Sequence, residues 1–233
     1  MKTMAILSIV LIQVGSGQVT RGQVYFQNLD FESANVSGYK PPGYGIPISA
    51  AFPGWSVTSP NTPVFYDGIS LGGAAISICD GNTAFGWPGW PAILDGDFSA
   101  FLFGGEFGPA TLSQTGLVPS YSRSLQMLVG TYYPYNSFFS ISLGGQVISM
   151  IPLASFSNCE LYGGDISSHA GKVETLSLTA LTPPSPIVPP SFFLVDDIDF
   201  SPESVPEPTA IGLFALGGLF LSSRFVVRPA RRK

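Results

Sequence analysis

From residue 24 to residue 200 the chain is cut into short runs, some alternating apolar and polar, some wholly apolar, separated by Gly, Pro, Asn and Ser. No stretch sustains the three- and four-residue apolar spacing of an amphipathic helix, so the pattern is that of strands. The runs predict ten of them, at 24–31, 54–58, 74–78, 99–103, 111–116, 124–132, 138–143, 146–151, 173–180 and 192–200. Short strands joined by polar turns predict an all-β chain folded as an antiparallel β-sandwich. Between two of the strands, Gly144-Gly145 is a hairpin signal, since both residues tolerate the positive φ of a tight turn. Residues 182–190, TPPSPIVPP, predict an extended loop into the last strand.

The two ends break this pattern. Residues 1–17, MKTMAILSIVLIQVGSG, place one Lys before an apolar run and end in small residues, the layout of a secretory signal peptide. At the other end, 210–221 is apolar and Arg224, Arg228, Arg231, Arg232 and Lys233 follow. Twelve residues make about 18 Å of helix, short of the roughly 30 Å hydrocarbon core, so a span needs Arg224 to reach the headgroups. The basic end then lies on the cytoplasmic side and the body outside. Removal of both ends leaves four basic residues against fifteen acidic ones, a net charge of −11 in place of −5. Such a surface repels phosphate backbones and excludes nucleic acid as a partner.

Val205-Pro206-Glu207-Pro208, the apolar run and the basic end, in that order, resemble the PEP-CTERM sorting signal of Gram-negative bacteria. The resemblance implies that an exosortase recognises the Pro-Glu-Pro element and removes the tail. Four segments of the body resemble the jelly-roll modules of the galactose-binding-like and carbohydrate-binding families. They are Asn28-Leu29-Asp30-Phe31-Glu32, Pro53-Gly54-Trp55, Thr111-Leu112-Ser113-Gln114 and Leu194-Val195-Asp196-Asp197-Ile198. The expected organisation is a signal peptide at 1–17, a jelly-roll domain at 18–201, a linker with the sorting motif at 202–208, and a transmembrane helix with basic tail at 209–233.

Strict alternation across the last strand puts Asp196 on one face with Phe192, Leu194, Ile198 and Phe200, where an ionised carboxylate needs compensation. Two readings stay open. The modular resemblance implies a structural Ca²⁺ held by Glu32 with Asp196 or Asp197, whereas a simpler account has Asp196 accepting backbone N–H groups at an edge or a bulge. Cys79 and Cys159 form a disulfide or remain two buried thiols, and neither belongs to a Cys/His cluster.

Exposed aromatic rings stack on sugar faces, and the richest aromatic stretches are Trp87 with Trp90, between prolines, and Tyr132, Tyr133 and Tyr135. The same rings also suit plugging the ends of a sandwich. Chemistry beyond binding has little to stand on: His169, the sole histidine, is expected in a surface loop, and Asp95 and Asp97 flank Gly96 as a turn would. The expectation is an exported, exosortase-processed surface or matrix protein with a structural or adhesive role and no catalysis. The alternatives are a carbohydrate-binding module for an extracellular polysaccharide and, after it, a glycoside hydrolase or lyase.

Overall fold

The computed structural model describes residues 24–40, 43–59, 64–68, 75–81, 93–105, 108–130, 138–182 and 191–206. The expected signal peptide, the aromatic residues Trp87, Trp90, Tyr132, Tyr133 and Tyr135, the proline-rich loop from 183 onward, and Glu207, Pro208 and the tail lie outside them. Among the described residues no helix is long and apolar enough to cross a membrane.

Two sheets make a sandwich. The larger holds β1 (Gly43–Ile46), β3 (Val64–Tyr66), β4 (Ala75–Cys79), β5 (Ser99–Gly104), β13 (Ser191–Ser201), β7 (Ser124–Gly130), β11 (Cys159–Asp165) and β10 (Ile151–Ser155), in that spatial order. The smaller holds β2 (Ser56–Thr58), β6 (Ala110–Leu117), β12 (Val173–Ala180), β8 (Phe139–Leu143) and β9 (Gln146–Val147). One short helix, α1 (Ile48–Ala51), precedes β2. The chain crosses between sheets from β5 to β6, back to β7 and over again to β8. Its last two strands insert centrally, β12 between β6 and β8 and β13 between β5 and β7. Every named pairing is antiparallel except β3 with β4.

Alternation explains the packing. Along β6 and β12, Ala110, Leu112, Leu176, Leu178 and Ala180 point inward and meet Ile76, Ile78, Leu102, Met127, Phe193 and Val195 from the larger sheet. Burying such side chains stabilises by about 1.5–3 kcal/mol each, which is the main driving force for closing the sandwich. The Gly144-Gly145 turn between β8 and β9 forms as expected, with φ of 58° and 80°.

Three expectations need correction. Residues 24–31 are not a strand: only Tyr25 makes a bridge, to Leu117, and Asn28 and Phe31 take φ of 50° and 58°, outside the β region. The single strand expected at 146–151 is two, β9 and β10, in different sheets. Of the two readings open for the cysteines the disulfide is the one overturned, since Cys79 and Cys159 are free, buried thiols. They lie on β4 and β11 with β5, β13 and β7 between them, so four spacings of about 4.8 Å separate them, far beyond the reach of a disulfide. Burial pushes the Cys79 thiol well above its ordinary range, and burial followed by the charges of Asp196 and Asp95 raises Cys159.

Candidate functional site

The four segments that carry the modular resemblance meet at one corner of the sandwich. Trp55 donates its indole N–H to the Asn28 carbonyl at 2.9 Å, and Asn28 Nδ2 donates to the Pro53 carbonyl at 3.2 Å. Phe31 is fully buried and packs against Trp55 and, edge-on, Phe52. Gln114, on β6, holds both backbone groups of Gln27, just before the first segment: its Oε1 accepts from Gln27 N at 2.6 Å and its Nε2 donates to the Gln27 carbonyl at 2.9 Å. The carbonyl of Leu29 accepts from Ile198 N, which ties the corner to β13. Residues 24–32 therefore keep no ladder of their own: side chains satisfy the backbone of Gln27 and Asn28, and isolated backbone bonds that of Val24 and Leu29.

Asp196 sits at the break in β13. Phe193 and Val195 point into the core between the sheets, and beyond the break Ile198 and Phe200 do, while Phe192 and Leu194 belong to a cluster on the opposite face. The strict alternation expected across 192–200 fails because the pairing with β7 shifts between Asp196 and Asp199, and Asp197 takes a φ of 46°. That is a β-bulge, which inserts one residue and exchanges the two faces.

The buried Asp196 carboxylate has three partners. Its Oδ2 accepts from Ser99 Oγ at 2.6 Å and from Asp95 N at 3.3 Å, and its Oδ1 accepts from Asp197 N at 2.8 Å. Burial pushes its pKa up to about 7; the three hydrogen bonds work against that rise and the negative charge of Glu32 adds to it. Asp197 is exposed, yet loss of solvent at its carboxyl, then the charges of Asp95, Asp199 and Asp30, push it upward too.

Glu32 grips the same loop from the other side. Its Oε1 accepts from Asp97 N at 2.9 Å and Phe98 N at 3.0 Å. The turn between these anchors is closed by Gly96 at φ 58°, where a Cβ would stand 2.3 Å from Glu32 Oε1. Asp95 and Asp97 are the exposed flanks of this turn, as their spacing predicted.

Glu32, Asp196 and Asp197 are thus brought to one corner. Calcium takes six to eight oxygen ligands, and among the described residues no three acidic, His or Cys side chains converge to hold a metal ion. Glu32 and Asp196 accept from backbone N–H groups at a turn and a bulge, and a calcium ion here would need backbone carbonyls beside these carboxylates.

Other polar groups were less legible. His169 is buried rather than in a surface loop, and its Nδ1 lies against Glu174 Oε2. Asp67, also buried, accepts from Asp80 N through Oδ1, while Tyr66 donates its hydroxyl to Asp80 Oδ2. Burial, then the hydrogen bond and charge of Asp80, push the Tyr66 hydroxyl upward. The one sequence sign of this second cluster is Asp67-Gly68, a turn pair, with Asp67 at φ 46°.

The segment that leads to Val205 and Pro206 lies on the body. Ser124 Oγ donates to the Glu203 carbonyl at 2.7 Å, and Val205 is half-buried, 3.3 Å from where a Cβ on Gly163 would be. No family model matches the chain and no curated protein does. One solved structure with a partial likeness is the enzymatically active domain of bacteriophage CBA120 tailspike protein 4, 13% identical, with a TM-score of 0.37 over 76% of this chain and 21% of that one. The chain spans about a fifth of that protein's length.

Proposed function

We propose that this chain is exported in a Gram-negative bacterium, held briefly in the membrane by its tail, cleaved by an exosortase at Val205-Pro206-Glu207-Pro208, and left at the cell surface or in the extracellular matrix as a structural or adhesive β-sandwich. The observation that carries this is the ordered set of sorting elements: motif, apolar run and basic end, in a chain that also has a signal-peptide-like segment at 1–17. The body supports it in two ways. Strands inserted centrally in both sheets are what a jelly-roll module has, and the two carboxylates the resemblance singled out are engaged in holding a loop rather than facing each other across a cleft. Contacts of Glu203 and Val205 lay the chain on the body as far as the start of the motif.

The test is sorting in a host that has an exosortase. Glu207→Ala is expected to leave an uncleaved, membrane-retained precursor, whereas the parent chain yields a product lacking the tail by intact mass. Normal release of the variant would sink the proposal. The second reading, binding of an extracellular polysaccharide, is favoured by one surface of the smaller sheet.

A further inference from the structure

We infer that the outer face of the five-stranded sheet is a binding face for a neutral polysaccharide, built from an uncharged lattice of Ser and Thr hydroxyls with tyrosines at one end. The inward positions of β6, β12 and β8 are filled by the core, which sends the alternate residues outward. Ladder registry aligns these in rows. One row runs Thr58, Thr111, Thr179, Ser140, and the next Ser56, Ser113, Ser177, Ser142. A third pairs Thr115 with Thr175. The ten hydroxyls stand about 4.8 Å apart across the strands and about 6.8 Å apart along them.

Their order is fixed as well as their spacing. Thr111 Oγ1 and Thr179 Oγ1 hydrogen-bond at 2.9 Å, and Thr115 Oγ1 and Thr175 Oγ1 at 2.7 Å. Each such pair uses one donor and leaves one hydroxyl hydrogen and spare acceptor positions for a ligand, with rotamers already chosen. Beyond the third row, Leu117 pairs with Val173 and bridges to Tyr25. Tyr25 and Val173 are 56% and 58% exposed, and Tyr121, 62% exposed, lies in the turn after β6 that bonds from Val118 N to the Lys172 carbonyl beside Val173. Tyrosine offers a flat apolar ring with a polar tip, a suitable end-stop for a sugar chain.

Charge selects the partner. The strand residues that point outward here include no Lys, Arg, Asp or Glu, although the chain carries a net −5, and −11 without its two ends. A nucleic acid finds no cation on this face, and a uronate polymer would approach an acidic protein without compensation. A protein partner needs a packed apolar centre, and the centre of this face is hydroxyl. A neutral, hydroxyl-rich polymer matches it donor for acceptor. The lattice covers only about 14 Å in each direction, so a single copy binds weakly, and binding becomes firm when many copies are displayed together. This deepens the polysaccharide reading above, while the sorting test reports on a different reaction.

The experiment immobilises the full chain densely on beads and measures retention of a fluorescent neutral β-glucan, with a polyuronate of similar length as the counter-probe. Wild type is expected to retain the glucan and not the polyuronate. Ser113→Lys with Ser177→Lys, two solvent-facing changes, should lower retention about tenfold or more, because a multivalent contact multiplies each loss, and Ser177→Thr should keep it. Native near-ultraviolet circular dichroism controls for folding. Tyr121→Ala, in an exposed turn, is the second variant and should weaken retention without touching the sheet. No glucan retention by wild type, equal retention of the polyuronate, or unchanged retention by both the Lys pair and Tyr121→Ala would each overturn the inference. So would a dimer in sedimentation that the Lys pair abolishes while glucan retention stays unchanged, since the face would then belong to a second copy.

Discussion

Replacing Asp196 with Asn removes one buried charge and nothing of its size. The wild-type carboxyl has its pKa raised from 3.8 to about 7 in the folded protein, so the folded state holds this proton more tightly than the unfolded chain does. The resulting stability is fully present below pH 3.8 and is lost as pH rises through about 7. A rise of about three pH units, at 1.36 kcal/mol each, corresponds to an upper figure of about 4 kcal/mol. Asp197, also raised, acts in the same direction.

Asn resembles the protonated acid, which donates to Ser99 Oγ and keeps a single carbonyl-like acceptor for the backbone. Wild type and variant should therefore unfold at nearly the same urea concentration near pH 4. Toward pH 8 the wild type should fall away while the variant stays level, ending more stable than wild type by about 1–4 kcal/mol, a figure in which the three bonds accepted by the ionised form are already included. The assay is urea unfolding by tryptophan fluorescence from pH 4 to 8 with a chelator present. Parallel curves, or a variant less stable than wild type at pH 8, would refute the reasoning. Repeating the pH 8 arm with millimolar Ca²⁺ adds a check: stabilisation of wild type but not of the variant would favour the calcium reading of this corner.

Two further outcomes follow from the same geometry. Gly96→Ala should destabilise the protein by about 1–2 kcal/mol, through its positive φ and the clash with Glu32, and a smaller cost in a Glu32→Ala background is the signature of that clash. Both cysteines should react with a thiol reagent after denaturation and hardly at all before it, with identical mobility on reducing and non-reducing gels; finding no free thiol would refute the strand separation between Cys79 and Cys159.

Periodicity made most of the sandwich legible. β6, β7, β8, β12 and β13 are long and begin and end within a few residues of where their patterns do. What escaped was short or glycine-bearing. β3 has three residues, and β11 contains Gly163 and Gly164, whose Cβ positions are taken by Leu153 and Ile148, so its apolar signal is diluted where neighbours come closest. Residues 24–31 failed for another reason. Their alternation is strand-like, but the side chains of Trp55 and Gln114 bond the backbone of Asn28 and Gln27, where a ladder would otherwise supply partners. At the corner, Glu32 and Asp196 were identifiable, whereas the loop they share was not, since it lies 65 residues from one and 101 from the other.

The acidic corner and the hydroxyl face are joined by one short segment. Tyr25 stands at the end of the face, Gln27 is pinned by Gln114 beneath it, and Asn28 to Glu32 run on into the corner. The three hydroxyl rows do not depend on that segment: ladders among β2, β6, β12 and β8 set their registry, and the core beneath sets their facing. Loosening the corner should therefore reach the face only through Tyr25. Asp196→Asn and Ser113→Lys with Ser177→Lys then probe separable properties, the first a pH-dependent stability and the second a surface. Carboxylates gathered at one corner also leave the face free of local charge, and that segregation is what lets an acidic protein present a neutral surface to a neutral polymer.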